Sequence, residues 1–252
     1  MIQSESTAMA DPLLEICVDD VAGLSAAIAG GADRIELCSA LSVGGLSPSL
    51  GFMKLAADAP IPVHALIRPR PGNFHHDQTE VDVMKRDIEA AQRVGLAGVV
   101  IGASKAEGRL DQAALRALIA EAEGMDLTLH RAFDLAPDLI EAMETAVDLG
   151  FRHILTSGGQ KTAEQGLDML QALASAAGER ISILPGGGVR APLAARFLSI
   201  PGIRELHASC SRLPLDADPR LSDFGFIRPD SRETDADAVR ALKQAMRAAV
   251  TV

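Results

Sequence analysis

Short apolar runs alternate with helix-length amphipathic segments along the whole chain. The runs that read as strands are Leu13–Asp19, Arg34–Ser39, Pro62–Arg68, Gly98–Ala103, Leu127–Phe133, His153–Ser157, Ile181–Pro185 and Glu205–Ser209. Between them the pattern predicts helices over Val21–Ala29, Pro48–Ala57, Gln78–Val94, Asp111–Glu123, Pro137–Leu149, Ala163–Ala177 and Ala191–Leu198. A last helix is expected over Asp235–Ala249. Several begin with capping residues or Pro, at Asp20, Ser47-Pro48, Asp111 and Ala136-Pro137, and many end at Gly. Eight βα units in 252 residues predict an α/β fold, a single (β/α)8 TIM barrel. The rival is a doubly wound open sheet with the same local alternation. The expected layout is a flexible segment over 1–12 and one domain over 13–252, with the irregular stretch Ser211–Thr234 as a lid or oligomer contact.

Side chains alternate across a strand, so one face of each strand can be read off. Leu14, Ile16, Val18, Ile35 and Leu37 suit burial under helices. The opposite, inward positions are unexpectedly polar: Glu15, Cys17, Asp19, Glu36, Cys38, His64, Arg68, Thr128, His130, His207 and Ser209. A barrel interior is normally aliphatic, and buried charges cost several kcal/mol each unless paired. These residues therefore form a network or bind something. One reading is a self-satisfied set of ion pairs, with Glu15 and Glu36 held by Arg68 or the histidines beneath inert cysteines.

The functional readings start from the matching triplets Glu15-Ile16-Cys17 and Glu36-Leu37-Cys38. If the two strands pair in equivalent register, Cys17 and Cys38 converge, about 4.8 Å apart from strand to strand. Two thiolates suit Cu(I), which accepts two ligands. Zinc would need further ligands, such as His64 or His207, and no zinc spacing is present. As an alternative, Glu15, Glu36, His64 and His130 supply acid/base groups, with Arg68 and Arg131 to polarise a small anionic substrate. Parity places Arg131 opposite His130, so its part depends on the strand ending there. Two glycine turns, Ser157-Gly158-Gly159 and Gly186-Gly187-Gly188 with Arg190, could cradle a phosphate or carboxylate. Tight βα turns also need glycine for their own sake. His75-His76 reads as a solvated loop pair, and His153 as packing.

Composition narrows the class. Hydrophobic content of 48% without Trp or Tyr gives an aliphatic core, and the net charge of −10 argues against nucleic acid and anionic membranes. Three widely spaced cysteines make no disulfide framework and suggest a cytoplasmic chain. No signal peptide or membrane span is expected.

The motifs EICVD at Glu15–Asp19, GGADRIELCSAL at Gly30–Leu41, PVHALIRPR at Pro62–Arg70, LHRAFD at Leu129–Asp134, LTSGG at Leu155–Gly159, PGGGVR at Pro185–Arg190 and LHAS at Leu206–Ser209 resemble the CutC family. That resemblance implies a TIM barrel, a cytoplasmic homo-oligomer (dimer or tetramer), and copper homeostasis with Cu(I) bound through the cysteines matching Cys17 and Cys38.

Overall fold

The computed structural model describes residues 11–214, 218–228 and 230–250. The segment expected to be flexible, 1–12, lies outside these except for its last two residues. Eight parallel strands form the predicted barrel: β1 Leu13–Val18, β2 Arg34–Leu37, β3 Val63–Leu66, β4 Gly98–Ile101, β5 Asp126–Leu129, β6 His153–Thr156, β7 Ser182–Pro185 and β8 Glu205–Ala208. Their ladder runs β7-β6-β5-β4-β3-β2-β1-β8. Across the seam between β7 and β8, Ser182 Oγ donates to Glu205 at 3.0 Å. The sequential order, with a helical segment after each strand, makes this a (β/α)8 barrel and excludes the doubly wound sheet.

The helices follow from local chemistry. Helix α1, Val21–Gly30, starts where the Asp20 carboxylate accepts from Gly23 N and stops at Gly31, whose φ of 94° ends the helix. Helix α2, Leu50–Ala56, is capped by Ser49. In α3, Gln78–Arg93, Asp77 and Glu80 make a reciprocal capping box. The apolar outward faces of the strands, including Leu14, Ile16, Ile35, Leu37, Ile101 and Leu129, are fully buried beneath these helices. Each contributes about 1.5–3 kcal/mol on burial, so the core is the aliphatic ring between sheet and helices.

Two local differences from the sequence reading matter for the site. The fifth strand ends at Leu129, and Arg131–Leu135 forms a 3-10 turn instead of continuing it. That turn brings Arg131 round to the barrel mouth. The stretch after β8 is not wholly irregular: β9, Ser211–Arg212, pairs antiparallel with β10, Glu233–Thr234. Among the described residues no helix is long and apolar enough to cross a membrane.

Candidate functional site

The inward parity holds: Glu15, Glu36, His64, Arg68, Thr128, His130 and His207 are all buried. Their register, however, differs from the equal pairing of β1 and β2. Glu15 stands opposite Arg34, and Cys17 opposite Glu36. A closed barrel staggers neighbouring strands to satisfy its shear, and here the offset is two residues. Cys38 therefore sits one rung higher. It shares an inner apolar cluster with Cys17, Leu66 and Val100, yet the donors that converge within 4.8 Å are Cys17, Glu36 and His207. The three-donor group that the structure brings together therefore includes Cys17 and not Cys38. Burial, then the Glu36 carboxylate and Cys17, drives the Cys38 thiol well above its usual range. Burial also raises Cys17, so neither thiol is poised as a thiolate.

Below the cysteines the barrel is filled by ion pairs. Glu15 accepts from Arg34 Nε and, at 2.8 Å, lies against His207 Nδ1. Arg34 Nη2 reaches Glu205 at 2.8 Å. His153 lies 3.3 Å from Glu205 and 3.4 Å from Asp126. Burial alone would raise the Glu15 carboxyl, but Arg34 and His207 hold it far below the usual range. Burial likewise opposes a charge on His153, yet Asp126 and Glu205 lift it to about 9. For His207, burial is outweighed by Cys17, Glu15 and Glu36, which carry it well above the ordinary imidazole value. Because Cys17 is itself a raised thiol, the two carboxylates hold that charge. His64 lies 3.9 Å from Asp126, but burial outweighs Glu15 and Asp126 and pushes it down to about 4. Arg34, Asp126, His153 and Glu205 were not among the sequence candidates, and His153 is an ion-pair partner rather than packing. The signal was available: each is polar and occupies the first position of its strand.

Above this network a pocket of about 240 Å³ opens at the C-terminal mouth, with Cys17, Glu36, Arg68, His130, Arg131 and His207 in its wall. The Arg68 guanidinium donates to the carbonyls of Val43, Gly45 and Gly72 at 2.9–3.0 Å and lies over the Phe74 ring at 4.9 Å. It meets no carboxylate among the described residues, its Nε has no partner, and burial lowers its pKa. It does not hold Glu15 or Glu36. His130 accepts the Ala132 N–H at Nδ1, 3.1 Å away, while its buried Nε2 is without a partner. Burial, reinforced by Arg68, pushes this ring down to about 3.

The two glycine turns part company. The Ser157 and Gly159 amides donate to the chain's own Asp134 carboxylate at 3.1 Å, joined by the Ser157 and Thr156 hydroxyls. Gly158, at φ 68°, also leaves no room for a Cβ, which would meet Gly166 O at 2.6 Å. Ser157, Gly158 and Gly159 thus form a structural turn around Asp134. That carboxylate also anchors Arg131, which donates Nε to Asp134 at 2.8 Å and Nη2 to Ser157 Oγ at 2.7 Å. Gly187 and Gly188, at φ 99° and 80°, line the pocket beside Arg131, whereas exposed Arg190 lines a separate groove. Of the His75-His76 pair, His75 is exposed but His76 is buried, 3.4 Å from Glu80.

Fold and site together define a (β/α)8 barrel protein with a charged, ligand-sized pocket at the mouth where such barrels place their chemistry. The chain belongs to the CutC family, whose model matches residues 12–212. It is 55% identical over 231 residues to family protein CutC of Sinorhizobium medicae, covering 92% of this chain and 94% of the relative. Against CutC of Caulobacter vibrioides (strain NA1000 / CB15N) the identity is 53% over 238 residues, covering 94% and 97%. The crystal structure of CutC from Streptococcus agalactiae, a candidate copper homeostasis protein, matches with TM-score 0.75 and 31% identity, covering 79% of this chain and 98% of that one. A native KDPGal structure matches at TM-score 0.59 and 14% identity, covering 95% and 96%, and shows the fold alone.

Proposed function

We propose that this protein is a cytoplasmic enzyme that binds a small phosphate- or carboxylate-bearing metabolite in the barrel mouth and works on it by acid/base chemistry. The observation that carries this reading is Arg68: a buried cation with no carboxylate partner among the described residues, in the wall of a ligand-sized pocket. An uncompensated buried charge is costly, and an anionic ligand supplies the missing counter-charge. Arg131, held rigid by Asp134, adds a second cation at the same rim. Glu36, whose carboxyl burial lifts, and His207 give a proton acceptor and donor in the lining of the same pocket.

The test is isothermal titration with inorganic phosphate and with short carboxylates. Saturable binding is expected in the wild type, lost in Arg68→Met and weakened in Arg131→Gln. Binding indifferent to both substitutions sinks the reading, and Arg131→Gln keeps the test decisive if Arg68→Met disturbs the loops.

The convergence of Cys17, Glu36 and His207 within 4.8 Å favours one second reading, a soft-metal site with copper as cargo. It requires the metal to displace protons from Cys17 and His207. An anaerobic Cu(I) titration should then respond to Cys17→Ser and ignore Cys38→Ser. Equal losses in the two variants would point instead to a site made by both thiols.

A further inference from the structure

Resting on the anion-pocket reading, we infer that His130 is a neutral hydrogen-bond donor, through Nε2–H, to the carbonyl oxygen of an enolisable substrate. The substrate class is an α-hydroxy ketone that carries the anionic group, and Glu36 is its base.

The ring is fixed on both sides. Gly102 follows β4, and a Cβ there would come within 2.3 Å of the imidazole, so the strand is open only because that residue is glycine. On the other side Phe74 lies 4.9 Å away, centroid to centroid, and is itself covered by Arg68. The tautomer is fixed as well. Nδ1 accepts the Ala132 N–H, so the ring's proton belongs on Nε2. The titratable groups that bear on His130 are Arg68 and His76; among the described residues no carboxylate acts on it to favour an imidazolium. Nε2–H is thus a buried donor without an acceptor among the described residues, on a residue that lines the pocket. Leaving such a group unpaired costs about 1–3 kcal/mol, which a substrate oxygen would remove.

A neutral, preorganised donor is suited to an oxygen on which charge develops during reaction. In the step this implies, the Glu36 carboxylate takes the proton from the hydroxyl-bearing carbon. The C–H electron pair becomes the C=C bond of the enediolate, and the carbonyl π pair moves onto the oxygen held by His130. Glu36 then returns the proton to carbon. No oxidant or co-reactant is needed. No lysine lines the pocket, so direct enolisation, rather than an imine route, is the chemistry these residues offer.

The test begins on the wild-type protein labelled with 15N-histidine. Long-range 1H–15N spectra should show His130 as the Nε2–H tautomer, unchanged from about pH 5 to 8, across the usual imidazole range. Its signals are assigned by their loss in His130→Gln or by contacts to the Phe74 ring. Adding phosphoglycolohydroxamate, an enediolate mimic, should move the Nε2–H proton downfield. In D2O, dihydroxyacetone phosphate or hydroxypyruvate should gain deuterium at the hydroxyl-bearing carbon; whichever responds identifies the anion. His130→Gln should slow this about 100-fold while inorganic phosphate still binds as in the wild type. An Nδ1–H tautomer, an imidazolium at neutral pH, or bound phosphate with no deuterium uptake from either probe would overturn the inference. Absence of phosphate binding in the wild type would instead strike the pocket reading beneath it.

Discussion

At the base of the barrel Arg34 meets Glu15 and Glu205, and His153 meets Glu205 and Asp126. At the mouth, among the described residues, Arg68 meets only backbone carbonyls and an aromatic ring. Both arginines are buried to the same degree, 4% and 5% exposed, so burial does not separate them. Partnership does. The base closes its own charge balance and reads as architecture, whereas the mouth leaves a cation and an imidazole N–H open for something that is not protein.

The most severe way to break that contrast is Glu15→Ala. It strips Arg34 and His207 of their shared carboxylate in a site with no water access. Removing one partner of a buried pair costs about 3–5 kcal/mol, and urea unfolding should show a loss of that size. A loss below about 1 kcal/mol would mean the base network is not holding the barrel together.

A pH series sharpens the same contrast. The folded His153 is raised to about 9, against about 6.5 unfolded. Its contribution is complete below 6.5 and lost as pH rises through about 9. Stability should therefore fall by on the order of 2–3 kcal/mol across that window, and the fall should flatten in His153→Gln. His207 works in the same direction. His64, pushed down to about 4, works the other way. Unfolding lets it take a proton below pH 6.5, so stability drops again towards acid, a trend that Glu15 reinforces below the usual carboxylate range. A stability that rises from pH 7 to 9 would contradict the base network.

How much of this the sequence carried depended on whether a property was local. Two-residue alternation placed Glu36, His130, His207 and Arg68 on the inner face correctly, because parity is a property of one strand. Register is not. The pairing of Cys17 with Glu36 arises from closing eight strands into a ring, and no single strand encodes it. The base charges escaped because Arg34, His153 and Glu205 open their strands at the end away from the mouth where chemistry was sought, and Asp126 stands just outside the run read as the fifth strand. Gly158 and Gly159 showed that their turn was tight. That it closes on Asp134, more than twenty residues away, was visible only in three dimensions. The open tautomer site on His130 was half readable: Gly98 and Gly102 share the inward parity of Val100, and such gaps beside His64 and His130 mark where rings must fit.

The smallest expected effect on stability is at Arg68, where the comparison has its sharpest test. Arg68→Met removes three hydrogen bonds to the carbonyls of Val43, Gly45 and Gly72, which is unfavourable. It also removes a desolvated charge that no acid balances, which is favourable, and a methionine can follow the same path across Phe74. The freed carbonyls belong to mouth loops rather than to the sheet, so water can take over as acceptor partner. The two effects nearly cancel, and the unfolding free energy should move by no more than about 1 kcal/mol, far less than for Glu15→Ala. Anion binding, by contrast, should disappear. The result that would remove the distinction between the two ends is a large loss of stability with phosphate binding intact, since Arg68 would then be doing at the mouth what Arg34 does at the base.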